Sequence, residues 1–197
     1  MRIGINTQII LLLSIAAVSL AQAAAQAAEK PLRSELALDY SYVRSNAPPA
    51  GCTCFNLNGG SATFAWPIGH DGFELAGDVT VAHGGGIASN TYSLTLSAYT
   101  AGARYRIEPK QSSFEPFGQV LVGLAHSSGT LVQGLTPATA NAGAAFAANL
   151  GGGLDLRATR QFSVRLIEAN YLLTTIDNGV NNHQNNLRLS AGVVLHF

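Results

Sequence analysis

The sequence predicts an all-β chain that folds into an eight-stranded antiparallel up-and-down transmembrane β-barrel. Three observations support this fold class. Eight segments of about ten residues alternate apolar with small or polar side chains, as strands in a membrane-spanning barrel wall do. Asp, Glu, Lys and Arg make up only 11% of the chain, against roughly a quarter in a typical soluble protein. The connections between the segments alternate between short and long.

The eight predicted strands cover residues 34–44, 61–68, 73–81, 92–107, 114–125, 146–156, 162–173 and 187–197. A soluble periplasmic β-barrel that binds a hydrophobic ligand would use the same alternation, with the apolar face turned to its core. The longest nearly uncharged stretch, residues 116–154, is too rich in Gln, Asn, Ser and Gly for a lipid-exposed helix. A chain of this kind can therefore cross a membrane only as a closed barrel.

The first two strands separate their faces cleanly. In the first, the even positions from Leu36 to Tyr42 are apolar or aromatic, and the odd positions include Asp39. In the second, the even positions from Ala62 to Ile68 are apolar, opposite small and hydroxyl side chains. Such strands predict apolar groups that face lipid and polar groups that face the lumen.

The third and fourth strands carry charges on their polar faces. Glu74 and Asp78 share one face of the third strand, and Arg104 and Arg106 share one face of the second half of the fourth. The apolar residues in the first half of the fourth strand have the opposite parity. We therefore expect a β-bulge near Ser97 or Ala98, which would bring both halves to the same face.

The fifth to seventh strands are less regular. The even positions from Val120 to Leu124 are apolar in the fifth strand, and the sixth strand places Asp155 among glycines on its polar face. In the seventh strand Arg165 and Glu168 have opposite parity, although both should avoid lipid. This strand requires a bulge, or a position at the barrel rim for one of the two charges.

The eighth strand closes the barrel. Its odd positions from Leu187 to Phe197 are apolar, and its even positions include Arg188 and His196. Short connections at residues 69–72, 108–113 and 158–161 follow the even-numbered strands, and long ones at residues 45–60, 83–90, 126–145 and 174–184 follow the odd-numbered strands. This asymmetry is typical of membrane barrels with short turns on one side and long loops on the other.

The amino terminus predicts secretion. Arg2 precedes an apolar stretch at residues 9–18, and small residues at 21–28 offer cleavage sites, which together are typical of a signal peptide. The apolar stretch is too short for a spanning helix, which needs about 20 residues. We therefore predict a removed signal peptide at residues 1–28 and a single barrel domain at residues 29–197.

The charges on the polar faces predict an internal ion-pair network, because buried charges are costly unless they are paired. Its expected members are Asp39, Glu74, Asp78, Arg104, Arg106, Asp155 and Arg188. The alternative is a narrow passive pore in which these groups line a water path. Eight strands enclose a space that side chains can fill, which favours the network.

Other candidate sites are weak. Cys52 and Cys54 are the only cysteines, and a disulfide between them is possible in an oxidising compartment. Histidines near the long loops, His83, His126 and His183, could meet, but no ligand spacing typical of a metal site occurs. We predict no metal and no cofactor. The net charge is +0 and no run of Lys or Arg occurs, so no nucleic-acid partner is expected.

A lipid-modifying barrel enzyme is a further alternative. His126, Ser127 and Ser128 bring a base and hydroxyl groups together, but neighbours on a strand point to opposite faces and no acid lies nearby. The sequence contains no G-x-S-x-G elbow, Walker A loop or zincin helix motif. We therefore predict that the protein is not an enzyme.

The mature chain resembles the small outer-membrane β-barrels of the OmpA-like and opacity-protein-like superfamily. The segments that carry the resemblance are residues 34–43, 100–106, 115–119 and 195–197. The resemblance implies that Val193, Leu195 and Phe197 form the signal read by the barrel assembly machinery. It also implies location in the outer membrane of a Gram-negative-type cell, contact with outer-membrane lipid, and periplasmic chaperones as partners during biogenesis.

Within that superfamily, functions include envelope integrity and adhesion. We therefore expect a structural or surface-interaction, adhesin-like role through the long loops, with an extracellular partner that the loops do not identify. The chain stops at Phe197, and we expect no cell-wall-binding domain after the barrel.

Overall fold

A computed structural model describes residues 33–45, 54–69, 72–87, 92–107, 109, 112–129, 144–176 and 182–197. They form a closed barrel in which each strand pairs antiparallel with the next, and the last pairs with the first. The strands are β1 Glu35–Ser45, β2 Phe55–Pro67, β3 Phe73–Gly86, β4 Tyr92–Arg106, β5 Phe114–Gly129, β6 Ala145–Arg157, β7 Phe162–Thr174 and β8 Gln184–His196. The predicted fold class is confirmed.

Within the described residues, no helix is both long and apolar enough to cross a membrane. The signal peptide predicted at residues 1–28 lies outside the described residues and stays a prediction.

The outer face of the barrel is apolar over most of its height. Leu75 on β3, Val120 on β5 and Leu150 on β6 are each more than half exposed. On β1, Tyr40 is exposed whereas its neighbour Asp39 is buried. Apolar side chains therefore face outward and charged ones inward, which is the arrangement for a barrel surrounded by lipid rather than water.

The seventh strand contains the irregularity that its charges require. The register between β7 and β8 shifts between Arg165 and Glu168. Leu166 and Ile167 are both exposed, while Arg165 and Glu168 are both buried. A bulge therefore brings the two charges to the same inner face, and the expectation of a bulge in this strand is confirmed.

The prediction of a bulge in the fourth strand is wrong. The register of β4 with β3 is continuous from Leu94 to Tyr105, and its register with β5 is continuous as well. Leu94 and Leu96 are buried inside the barrel. Their parity differs from that of Tyr99 because this end of the strand has apolar residues on its inner face.

The same reversal explains why several strands extend beyond their predicted ends. β2 begins at Phe55, whereas the sequence predicted a start at Ser61. Phe55 and Leu57 are buried, and Asn56 and Asn58 are exposed. The prediction assumed apolar residues on the outer face along the whole strand. This segment has polar residues on its outer face and was therefore predicted to be a loop.

An apolar layer fills the inside of the barrel at the long-loop end. We call it the apolar plug; its members are Val43, Phe55, Leu57, Ala82, Ile87, Leu94, Leu96, Ala98, Ala125, Ala147 and Leu172, with Ile176 packed against it. Below the plug, Ser41 lies 2.9 Å from both Ser61 and Ser190 through their hydroxyl oxygens. The charged side chains lie further towards the short-turn end.

Inward-facing glycines on β6 make room for larger side chains from neighbouring strands. A Cβ atom at Gly153 would lie 2.7 Å from the ring of Phe117, far inside van der Waals contact. A Cβ atom at Gly151 would collide with the backbone of Ala169 and with Asn170. The space that these glycines leave is therefore occupied by Phe117 and Asn170.

Candidate functional site

The charged interior of the barrel is the largest polar cluster that the structure describes. All seven side chains that the sequence placed there are buried: Asp39, Glu74, Asp78, Arg104, Arg106, Asp155 and Arg188. Each belongs to the inward-facing set of its strand, because side chains two residues apart share a face. The structure thus brings the seven predicted residues into one interior, where four further charges join them.

Arg106 on β4 is the centre of the part nearest the short turns. Its Nη1 donates to Asp155 Oδ2 at 2.9 Å, its Nη2 to Glu35 Oε2 at 2.6 Å, and its Nε to Glu74 Oε1 at 3.3 Å. Arg104 also donates to Glu35. A planar guanidinium has five N–H donors in a fixed fork, so one arginine can hold acids from three different strands.

Arg165 on β7 is a second centre, and it was not among the predicted members of the network. Its Nε donates to Asp155 Oδ1 at 2.9 Å, and its Nη1 donates to Asp39 Oδ2 at 3.1 Å and to Glu168 Oε2 at 2.7 Å. Because Asp155 also accepts from Arg106, the two arginines are joined through one carboxylate. The bulge in β7 is what allows Arg165 and Glu168 to enter together.

Arg188 on β8 extends the network towards the apolar plug. Its Nη1 donates to Asp78 Oδ1 and its Nη2 to Glu168 Oε1, both at 2.7 Å. Thr63 on β2 donates to the other oxygen of Asp78 at 2.9 Å. All eight strands therefore contribute a side chain to one continuous set of ion pairs and hydrogen bonds.

Four buried charges were missing from the predicted network: Glu35, Glu115, Arg165 and Glu168. Glu35 was on the polar face of the first strand, and its parity alone would have identified it. The parity before Gly118 was ambiguous, which hid Glu115. Arg165 and Glu168 have opposite parity in the sequence, which indicated an irregularity in the strand. A bulge placed between them would have put both side chains inside.

Uncharged side chains complete the cluster. Gln119 accepts from Arg104 Nε at 3.0 Å and donates to Glu168 at 3.0 Å. The ring of Phe117 lies 4.5 Å from the guanidinium carbon of Arg104 and 4.6 Å from that of Arg165. Contact between a guanidinium and an aromatic face is attractive, so this buried ring stabilises both arginines.

The charges inside are not equal in number. Among the described residues, seven acids and four arginines are buried, and Arg157 reaches Glu115 from the short-turn rim. A buried charge that loses its partner is strongly destabilising. The ion pairs therefore link the strands to one another, and Arg106, Arg165 and Arg188 each pair with more than one acid.

The apolar plug separates this network from the long-loop end. Leu57, Leu94 and Leu172 are among its buried members. An eight-stranded barrel encloses only enough space for its own side chains. The described interior is thus a charged layer covered by a mainly apolar one, which also contains the buried amide side chains of Gln184 and Asn186 on β8.

Two Ser–His arrangements bear on the possibility of catalysis. His126 and Ser128 are both exposed on the outer face of β5, and in the described residues they share no hydrogen bond with each other. Inside the barrel, Ser163 Oγ lies 2.8 Å from Nε2 of His196. The other ring nitrogen of His196, Nδ1, lies 4.0 Å from Glu35 Oε2. That separation is too long for a hydrogen bond, and Ser163 is fully buried.

The remaining candidate residues lie apart from the interior. Cys54 is exposed, and Cys52 lies outside the described residues, as does the disulfide suggested between them. His83 shares a hydrogen bond of 2.9 Å with Thr95. Throughout the described ranges, no three His, Cys, Asp or Glu side chains are grouped so that they could hold a metal ion.

The carboxy-terminal residues close the barrel wall on the outside. The Phe197 backbone N–H donates to Ser34 O at 3.0 Å, and the Phe197 ring lies 6.2 Å from that of Phe64. Val193 and Phe197 are exposed on the outer face. The residues expected to form the assembly signal, Val193, Leu195 and Phe197, thus follow one another on the lipid-facing side of β8.

Comparison with solved structures gives the same fold. Neisserial surface protein A has 17% sequence identity and a TM-score of 0.61, with 83% of this chain and 97% of that chain covered. The attachment invasion locus protein Ail of Yersinia pestis has 16% identity and a TM-score of 0.58, with 85% and 100% covered. At these identities the likeness concerns the fold alone.

Comparison of the sequence gives the family. No curated protein matches the chain. A family model described as the outer membrane protein beta-barrel domain matches residues 13–197, which is most of the chain. The protein therefore belongs to the family of outer membrane proteins with this β-barrel domain.

Proposed function

We propose that this protein is a non-conducting outer-membrane barrel that presents its long loops at the cell surface, with a structural or adhesin-like role. The observation that carries the proposal is the filled interior, in which an ion-pair network is covered by the apolar plug. A barrel whose interior is filled by its own side chains in this way leaves no room for a continuous water path along its axis. The loops are then the part available to a partner.

The orientation in the membrane follows from the connections. The turns at residues 68–72, 107–113 and 158–161 join strands at one end, and β1 begins and β8 ends at the same end. In bacterial outer-membrane barrels short turns face the periplasm and longer loops face the outside. We therefore place the apolar plug at the extracellular end and the pair Arg106–Glu35 near the periplasmic end.

Loop replacement tests the surface role. The connection at residues 130–144 is the longest, and we expect its replacement by a short Gly-Ser turn to leave the barrel folded while the attachment of expressing cells to host cells or matrix falls. Replacement of the turn at residues 158–161 by Gly and Ser residues is the control. The other connections at the long-loop end, residues 46–54, 87–91 and 175–183, are replaced in the same way, one in each variant. Equal attachment by cells carrying the wild-type barrel and each of the four loop variants would leave only the structural role.

A catalytic role has less support. The exposed pair His126 and Ser128 has no acid in ion-pair contact among the described residues, and the inner Ser163 is buried beneath its neighbours. A nucleophile needs a base, an orienting group and room for the reacting atom. We propose that the protein is not an enzyme.

We also propose that Val193, Leu195 and Phe197 are recognised during assembly, with the barrel assembly machinery and periplasmic chaperones as transient partners. The exposed aromatic side chain at the end of β8 supports this role.

The substitution Phe197→Ser tests recognition. We expect several-fold less folded protein in the outer membrane of cells, whereas refolding of the purified variant into detergent stays close to wild type. Phe162→Ala, which removes another exposed aromatic ring from the same end, is the control. Equal outer-membrane levels of the Phe197→Ser variant and wild type would contradict the proposal.

A further inference from the structure

One charge lies on the outside of the barrel wall. Arg44 is the only Asp, Glu, Lys or Arg on the outer face of the eight described strands; the others are buried inside or, like Arg157, turn towards an inner acid. It lies near the end of β1, where that strand pairs with Asn56 of β2 and Leu187 of β8. This is the long-loop end of the wall.

Arg44 belongs to a hydrogen-bonded group on the outer surface. Arg44 Nη1 and the Tyr42 hydroxyl both donate to Asn56 Oδ1 at 2.8 Å. The Tyr40 hydroxyl donates to Asn58 Oδ1 at 2.6 Å. We call these five residues the outer polar cluster.

The donors of this cluster point to its ligand chemistry. The two asparagine oxygens already accept hydrogen bonds, so their amide N–H groups remain available as donors, together with the other N–H groups of Arg44. Within the described chain, no acid forms an ion pair with Arg44 and none lies on the outer face. The cluster is therefore a surface of donors with one positive charge, which suits an anion.

The wall directly below the cluster is apolar. Leu38 on β1 and Val193 on β8 are paired residues, and both are nearly half exposed. Phe64 on β2 is exposed beside them. A molecule with an anionic head and hydrocarbon chains would meet donors at the top and aliphatic or aromatic side chains beneath.

We propose that the outer polar cluster binds a phosphate of a phosphorylated glycolipid in the outer leaflet, whose acyl chains lie against Leu38, Phe64 and Val193. The proposal rests on the orientation given above, which puts this end of the wall at the outer surface. Guanidinium groups bind phosphate through paired N–H donors. The tyrosine–asparagine hydrogen bonds hold the donors in place before the lipid arrives, which lowers the entropy cost of binding.

Lipid binding by the purified protein in zwitterionic detergent tests the proposal, with native mass spectrometry as the readout and diphosphoryl lipid A as the probe. We expect the Arg44→Gln variant to bind this lipid roughly three- to tenfold more weakly than wild type, as suits an exposed charge-assisted contact. Asn56→Leu should weaken binding as well, because it releases Arg44 from its anchor.

Two controls make the result specific. Arg160→Gln removes a positive charge from an exposed residue at the opposite end and should bind like wild type. Monophosphoryl lipid A and inorganic phosphate separate a lipid site from a simple anion site. Equal binding by wild type and Arg44→Gln would overturn the proposal, as would displacement of the lipid by millimolar inorganic phosphate.

The outcome does not depend on the surface role. Binding in detergent requires neither the loops nor a particular orientation in a cell, so lipid binding that is equal in wild type and in the Arg44→Gln variant would overturn this proposal alone. Failure of the loop-replacement experiment would leave the lipid result unchanged.

Discussion

Arg165 is a buried arginine that is surrounded by carboxylates from several strands. It is fully buried and donates hydrogen bonds to Asp155, Asp39 and Glu168. Without its charge, three carboxylates would face one another in a poorly hydrated interior. Asp155 and Glu168 would keep Arg106 and Arg188, but Asp39 would lose its ion-pair partner. The loss of one partner from a buried ion pair costs about 3–5 kcal/mol, because the remaining charge is neither paired nor hydrated.

The substitution Arg165→Leu tests this position. We expect the free energy of unfolding to fall by about 3–5 kcal/mol, measured by urea unfolding in lipid vesicles with the fluorescence of the single tryptophan, Trp66. Arg160→Leu, on the exposed turn, should change it by no more than about 0.5 kcal/mol. Similar small effects of both substitutions would show that the interior charges do not stabilise the barrel.

Individual residues also show what sequence alone could reveal about the site. Strict alternation was sufficient to place Asp39, Asp78 and Arg188 inside. It failed for Arg165 and Glu168, because an extra residue on β7 changes the parity between them. Which acid meets which arginine depends on the closure of the barrel, and no local pattern encodes that closure.

At the scale of the strand, the two faces exchange character along the length. Near the short-turn end β4 places Arg104 inside and Ala103 outside, whereas near the long-loop end it places Leu96 inside and Ser97 outside. The first arrangement suits lipid outside, and the second suits water outside. We infer that the long-loop ends of the strands rise above the hydrocarbon layer.

This exchange explains the errors in the sequence-based strand boundaries. The membrane-spanning parts were identified correctly because one template, apolar outside and polar inside, applied to them. Phe55, Leu57, Leu94 and Leu96 follow the opposite template, so β2 was predicted too short and β4 was given a bulge. The number and order of the strands were still predicted correctly, because the turns and the alternation of side chains determine both.

Placing arginine at two positions of β4 tests the exchange. Ala103→Arg puts a charge on the part that we place in lipid, and we expect a loss of roughly 2–4 kcal/mol in the free energy of unfolding. Ser97→Arg puts the same charge near the long-loop end, where about 1 kcal/mol or less is expected. Vesicle-based urea unfolding measures both. Equal losses at the two positions would contradict the proposed boundary between lipid and water.

The whole molecule is a closed wall around a filled interior. Ion pairs link β1, β3, β4, β5, β6, β7 and β8, and Thr63 links β2. The apolar plug covers this network at the end that we place outside the cell. Together they support the proposal of a barrel that spans the outer membrane without conducting ions.

The conductance of planar bilayers containing the purified protein tests this account most directly. Heat-modifiable migration on a gel should first establish that the protein is folded. We predict no current steps above those of the bare bilayer at physiological salt, because the plug and the paired charges leave no water path. Reproducible steps from the folded protein would show that the interior is a pore and would contradict the account.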